Sequence, residues 1–472
     1  MINDWERTIH VFEPFIEHPL SKTLRRVLRY SIKSLGIIAI LFFSYVAIFA
    51  ITAVARFFYC QYHGSIYELS YFDVWLISEI FFALIQHLKY RTFRNIGASH
   101  LPVVDNVYYE KILKEWTGDT DFDLKGFLSG WFFNADFNSI TIEDLEEWLS
   151  ATLFNKRISE LELTEKGNID SLRRAIEEKE NHIFPKRKNQ TKLRKILLTL
   201  DSIRIQHRPI IYYAFIKLFH FGCKVILSIL GFNSHTNHTL PYYSRLGNDK
   251  EPALIFFHGL GIGLSTYIPL VAGLVVNYPN RNIILFEMPS ISMQLDDNHV
   301  LPQEYASHVA ECLIGFGLKK NIVAGHSMGT ACVRWLDLYY PELVYGRIFL
   351  DPICFSLWTH HIAYNALYRE PSNFHEAFIR YVGMSEAGIA TYLHRYFVWF
   401  QNTYFTDELP ERSVIYLSEK DDIIDTPMIL RYLKKNWNPS RKIVLVKAFH
   451  HGQIVASPEL IKIISDIDDL SK

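Results

Sequence analysis

Cysteine is scarce in this sequence, and neither sign of charge is in excess. Five cysteines (Cys60, Cys223, Cys312, Cys332 and Cys354) are scattered over 472 residues. They form no CxxC pair and show no His/Cys ligand spacing, which argues against a disulfide framework or a metal site and leaves buried thiols as the reading. Lys and Arg number 49 against 50 for Asp and Glu. No global basic field draws the chain onto nucleic acid, so that class of partner is set aside. Internal repeats and low-complexity tracts are absent too, which excludes a solenoid or a biased linker protein. Aromatics, by contrast, reach 15% of the residues; such side chains must be buried, stacked on a ligand or placed near lipid.

Long hydrophobic runs are the first positive feature. Residues 35–55, LGIIAILFFSYVAIFAITAVA, carry no charge, and a helix of that length spans a bilayer core of about 30 Å. The run begins too far into the chain, and is too long, for a cleaved signal peptide. We therefore expect a transmembrane helix at 35–55, preceded by a basic segment 1–34 whose Lys22, Arg25, Arg26, Arg29 and Lys33 favour a cytosolic amino terminus. Residues 56–99 hold a second apolar stretch, YFDVWLISEIFFALIQHL, broken by Asp73 and Glu79. A carboxylate at mid-bilayer costs about 2.5–3.5 kcal/mol on insertion scales, so an interfacial helix, and hence a single-pass integral membrane protein, is favoured over a second crossing. Sequons at Asn189 and Asn237 fit a lumenal face, but such tripeptides are common by chance and the side of the membrane stays open.

Residues 100–208 carry polar, helix-period stretches such as TIEDLEEWLSATLF, which reads as a small helical domain with its acids in the first turn. A basic run follows in Lys186, Arg187, Lys188, Lys192, Arg194 and Lys195; it reads as a solvated linker before a patch for anionic headgroups. Residues 209–232 are apolar apart from Lys217, His220 and Lys224, which recur at helical spacing. That pattern suits either an amphipathic helix on the membrane surface with its lysines snorkelling, or packing against the following domain.

From residue 240 to 472 short apolar runs alternate with helix-period stretches, the pattern of a mostly parallel sheet covered on both faces. Expected strands lie at 253–257, 282–286, 321–324, 346–350, 413–417 and 442–446. The third runs into Gly325-His-Ser327-Met328-Gly329 and then a helical stretch. A serine on a tight strand-to-helix turn needs small flanking residues, because a Cβ there would strike the neighbouring strand and helix. GxSxG arises by chance in about one chain in six of this length, so its placement between strand and helix is what carries weight. The first strand ends in His258-Gly259-Leu260-Gly261-Ile262-Gly263. Glycines here let backbone N–H groups approach a developing oxyanion, and the N–H of Leu260 and of Met328 are the expected donors. The glycine spacing does not match a dinucleotide-binding turn.

These features, strand-HGLGIG and strand-GHSMG-helix, resemble the α/β-hydrolase superfamily of serine esterases and lipases over about 230 residues of the carboxy-terminal half. The resemblance implies a triad in the order Ser, acid, His, with the acid in a loop after a late strand and the histidine after the last strand. It therefore implies Ser327 as nucleophile, Asp421 as acid and His451 as base, with Asp422 and Asp351 as alternative acids and His450 as the alternative base. An aspartate nucleophile of the dehalogenase or epoxide-hydrolase kind is excluded by the serine at 327. No metal and no organic cofactor are expected. The aromatic stretch at about 355–411 is expected to be a helical cap over the pocket, its rings either walling an acyl chain or forming the cap's own core. The expected function is hydrolysis of a carboxylic ester of a lipid or other hydrophobic acyl substrate. Acyl transfer by the same triad and a non-catalytic binding protein on this fold are the alternatives.

Overall fold

Six apolar runs of four to seven residues cannot bury both faces alone, and they meet in one sheet. The computed structural model describes residues 59, 61–63, 71–119, 121–188, 192–235, 240–248, 251–296, 299–372, 374–457 and 460–471. The expected transmembrane helix at 35–55, the basic segment before it, Cys60 and both sequon asparagines lie outside the described residues. The strands are β1 (Asn233–His235), β2 (Tyr242–Arg245), β3 (Ala253–Phe257), β4 (Ile283–Phe286), β5 (Asn321–His326), β6 (Val344–Leu350), β7 (Ser413–Ser418) and β8 (Arg441–Val446). They are ordered β1-β2-β4-β3-β5-β6-β7-β8. From β4 to β8 neighbours are parallel, whereas β2 runs antiparallel to β4, and β1 to β2. The chain steps outward from β3 to β4, then back past β3 to β5, so strand order reverses between β3 and β5. In open α/β sheets that reversal leaves a crevice at the carboxyl ends of the strands.

This is an α/β-hydrolase fold. Its helices follow from the sequence: α7 (Ile268–Asn277) and α10 (Leu460–Ser471) lay Leu270, Val271, Leu274, Ile463 and Ile467 on one face of the sheet against Leu254, Phe256, Ile322 and Ile348. On the opposite face α8 (Pro302–Gly315) and α9 (Gly329–Tyr339) bring Tyr305 and Trp335 beneath Phe257. The two amino-terminal strands β1 and β2 were not foreseen, because NSH and YYSR lack the apolar runs that betray buried parallel strands.

The chain divides into two compact units. Among the described residues, one takes in those up to Phe93 with Ile205–Phe215 and Glu370–Glu386; the other comprises those of Arg94–Arg204, Ile216–Arg369 and 387–471. In the first, α1 (Tyr71–Arg94) buries Glu79, whose carboxylate accepts the Ile210 N–H at 3.0 Å. Its Ile77, Phe81, Leu84 and Leu88 are exposed.

In the second unit the helices α2 (Asn106–Leu113), α3 (Leu124–Trp131), α4 (Ile142–Phe154) and α5 (Leu163–Glu180) do not close a core by themselves. Trp116, Trp131 and Trp148 share one cluster with Trp358, Phe400 and Phe405 of the 351–412 insertion. Indole N–H groups lock the seam: Trp131 donates to the Trp358 carbonyl at 3.2 Å and Trp399 to the Thr152 carbonyl at 2.9 Å. A separate helical domain at 100–208 is thus replaced by one body that includes much of the cap. The basic run is solvated only in part, at Lys186, Lys188, Lys192 and Arg194. Arg187 and Lys195 converge on buried Asp144 at 2.6 and 2.7 Å, and Lys192 and Lys195 pair with Glu147. Cys223, Cys332 and Cys354 are buried free thiols and Cys312 is half-buried.

The helix α6 (Ile210–Ile229) is, among the described residues, the one helix long and apolar enough to cross a bilayer. Ile216, Cys223 and Leu227 are buried, whereas Leu218, Phe219, Phe221, Val225 and Ile229 are exposed. His220 does not snorkel with Lys217 and Lys224. It turns inward, its Nε2 3.0 Å from the Ser292 carbonyl and its Nδ1 3.1 Å from Glu287, since a histidine on the edge of a buried stripe is satisfied by the β4 loop beneath it.

Candidate active site

The serine turn is built by the two close approaches that the glycines permit. A Cβ at Gly329 would lie 2.1 Å from the Phe257 carbonyl oxygen, and one at Gly325 would lie 2.4 Å from the Gly329 carbonyl oxygen. Only glycine lets β5 and the start of α9 pack so tightly against β3. Between them Ser327 takes φ 51°, a left-handed conformation that costs a β-substituted residue about 1–3 kcal/mol. The strain is held by the Ser327 N–H, which donates to the Leu350 carbonyl at 2.9 Å, and by its carbonyl, which accepts from Thr330 Oγ1 at 2.6 Å. The side chain is thereby thrust from the sheet edge at the amino end of α9, where the helix dipole favours negative charge.

Three distant side chains meet there. The Ser327 Oγ lies 2.8 Å from His451 Nε2, and His451 Nδ1 lies 2.7 Å from Asp421 Oδ2. An ionised carboxylate can only accept, so the Nδ1 carries the hydrogen that it shares with Asp421, and Nε2 is left to face the hydroxyl. Asp421 is itself fixed: its Oδ1 accepts the N–H groups of Ile423 and Ile424, both at 2.9 Å. Burial works against a charged ring at 451, but the Asp421 carboxylate, with Asp351 and Asp422 behind it, outweighs burial and raises the imidazole to about 9. The hydroxyl thus faces a ring whose positive state is unusually well supported.

The β3 loop supplies the complementary half. His258 donates from Nδ1 to the Gly259 carbonyl at 2.8 Å and accepts the Met288 N–H at Nε2 at 3.0 Å, which pins the strand end to the loop after β4. Tyr267 accepts the Gly259 N–H at 2.8 Å, and the Gly261 N–H donates to the Ile291 carbonyl at 3.1 Å. Among the described residues the N–H groups of Leu260 and Met328 have no partner. A pair of fixed, unspent donors beside a serine hydroxyl is what a tetrahedral oxyanion requires.

The remaining candidates fall elsewhere. His450 is exposed and its N–H binds Gln453 Oε1, while Asp422 lends its carbonyl to Arg369. Asp351 is buried beside these three side chains but makes no hydrogen bond to the His451 ring; its oxygens accept the N–H groups of Ser418 and Gly452. Ligand atoms of Asp351, Asp421 and His451 lie within 4.8 Å of one another. Each is already spent on a neighbour, so the arrangement is a hydrogen-bond relay instead of an open coordination shell. Sequence reasoning missed Tyr267, whose hydroxyl sits 2.7 Å from His326 Nδ1; a tyrosine ten residues past the strand offers no signal without the fold.

No family model matches the sequence, and no curated protein matches it. Solved structures do show likeness in part. A bacterial membrane phospholipase A is 16% identical over 55% of this chain and 94% of its own, with a TM-score of 0.41. The carboxylesterase CesB from Bacillus subtilis is 14% identical over 55% of this chain and 99% of its own, with a TM-score of 0.39. The naproxen esterase of Bacillus subtilis is 12% identical over 54% and 96%, with a TM-score of 0.38.

Proposed function

We propose that the protein is a serine hydrolase that cleaves a carboxylic ester through an acyl-enzyme on Ser327. The observation that carries this reading is the unbroken contact from Ser327 Oγ to His451 Nε2 at 2.8 Å and from His451 Nδ1 to Asp421 at 2.7 Å. His451 removes the serine proton as the oxygen attacks the ester carbonyl, and Asp421 orients the ring and supports the imidazolium. The N–H groups of Leu260 and Met328 hold the oxyanion. The imidazolium then protonates the leaving alcohol, and a water activated by the same ring releases the acid.

The substrate we propose is a lipid or other hydrophobic acyl ester. Helix α6 supports it: Leu218, Phe219, Phe221, Val225 and Ile229 form an exposed apolar arc, with Lys217 and Lys224 at its margin. Rings and aliphatics would enter the acyl layer while the lysines stay at headgroup level. The aromatics of the cap lend less support, because Trp358, Phe400 and Phe405 are spent on packing. We further propose that the chain is held in the membrane by residues 35–55.

Fluorophosphonate labelling tests the reading. The wild-type chain is expected to label and Ser327→Ala to stay unlabelled; a wild-type chain that never labels would leave a binding protein on this fold.

A further inference from the structure

Asp351 directly follows β6 with a left-handed backbone, φ 44°, and is completely buried. A carboxylate in such a place needs strong partners. Its Oδ1 accepts the Ser418 N–H at 3.0 Å and its Oδ2 accepts the Gly452 N–H at 2.8 Å. Ser418 closes β7 and opens the loop that carries Asp421; Gly452 directly follows His451. One side chain therefore bridges two loops that lie 67 and 101 residues away along the chain. An amide in its place would turn an NH2 group toward one of the two N–H donors, so the double contact favours the ionised acid, working with His451 against burial and the Asp421 charge, which push its proton affinity above the usual aspartate range.

A second buried layer supports it. Tyr267 accepts the Gly259 N–H and so donates its own hydrogen to His326 Nδ1. The His326 proton is then on Nε2, which has no hydrogen-bond partner among the described residues and lies 3.9 Å from Asp351 Oδ2. His326 is neutral there, since burial, with His451 and His258 nearby, holds its proton affinity well below the usual histidine range. The groups facing His451 are thus Asp421, Asp422, Asp351, neutral His326 and the Ser327 hydroxyl.

We infer that Asp351 is a positioning residue that sets the register of the acid and base loops and keeps a second negative charge beside His451. The inference rests on the serine-hydrolase reading above. Asp351 does not replace Asp421; it fixes where Asp421 and His451 meet and adds to the field that supports the imidazolium formed as the serine attacks.

The experiment is the pH profile of kcat/KM on a p-nitrophenyl ester, with fluorophosphonate inactivation rates, for the full-length chain in detergent. Asp351→Asn is expected to lower the apparent pKa of the base by about 1 and kcat about 10-fold or more, with KM within about 2-fold. Asp351→Glu keeps the charge but misplaces it, so kcat falls with little change in apparent pKa. An Asp351→Asn profile that superimposes on wild type overturns the inference and leaves the hydrolase reading standing. A wild-type chain that neither turns over nor labels overturns both. If neither variant folds, Asp421→Asn leaves both Asp351 contacts in place. Its residual activity is then expected to titrate above the ordinary histidine value of about 6.5, and titration at or below that value overturns the inference.

Discussion

Asp421 and His451 are held as one unit: the carboxylate meets the ring at 2.7 Å through Oδ2 while the N–H groups of Ile423 and Ile424 hold its Oδ1. Neither partner can rotate without breaking bonds. Asp421→Asn would keep the backbone contacts but offer the ring no charge and the wrong hydrogen. A fall in kcat of about 10³–10⁴, with KM little changed, is expected from such a tautomer error. Steady-state kinetics on a soluble ester read it directly.

The pH dependence follows from the same pair. His451 is raised to about 9 by its carboxylates, and only the unprotonated ring can take the serine proton. Activity should therefore rise with pH through a limb well above the ordinary histidine value of about 6.5. Stability should move the other way. Because the folded-state affinity is raised, the native chain holds more protons than the unfolded one between those two values. The pair's contribution is complete below the lower value and lost as pH rises through the upper. His451→Gln should flatten that slope in chemical denaturation measured across the window.

The glycines of the turn give a sharper test of fold than of chemistry. A Cβ 2.1 Å from the Phe257 carbonyl oxygen cannot be relieved by a rotamer change, since the obstacle is backbone. Gly329→Ala should cost on the order of 3 kcal/mol or more, by forcing β3 and α9 apart. Thermal unfolding would show the loss, and fluorophosphonate labelling should fall with it.

How far the sequence spoke varies with the range of the interaction. The parallel strands and the serine turn are local patterns, apolar runs closed by glycines, and they were readable from 253 to 446. Pairing Ser327 with Asp421 and His451 took the order of the strands as well as residue type. What stayed hidden depends on distant partners. Residues 100–208 look like a domain until Trp358 and Phe405 complete their core. Arg187, Lys192 and Lys195 look like the rest of a solvated basic run until Asp144 and Glu147 are brought beneath them. His220 repeats with Lys217 and Lys224, yet its ring faces Glu287, and Asp351, weighed as a spare acid, turns both oxygens to backbone N–H groups.

The exposed arc of α6 predicts a split between substrates. Charging it with Leu218→Glu and Phe221→Glu should hinder contact with lipid, since each carboxylate would have to enter the acyl layer. Hydrolysis of a long-chain ester held in phosphatidylcholine vesicles is expected to fall several-fold, with cleavage of a dissolved short-chain ester retained. Equal rates on both substrates would argue that the arc meets protein instead.

The buried cluster at Asp144 predicts a loss of stability without a loss of chemistry. Its carboxylate is completely buried, bonded to Lys195, Arg187 and Thr141. Burial raises its proton affinity, but Lys195, Thr141 and Arg187 together more than reverse that and hold it below the usual aspartate range. Asp144→Asn would leave the Lys195 ammonium, itself almost wholly buried, with only Glu147 to face. Breaking a buried pair from one side typically costs about 3–5 kcal/mol. Because the folded-state value is depressed, the stabilisation is present above the unfolded aspartate value of about 3.9 and is lost as pH falls through the folded one. At neutral pH the variant should therefore melt well below wild type, while wild type alone should lose this increment on acidification. Fluorophosphonate labelling below the melting range should be unchanged, since the cluster's hydrogen bonds reach none of Ser327, Asp421 and His451.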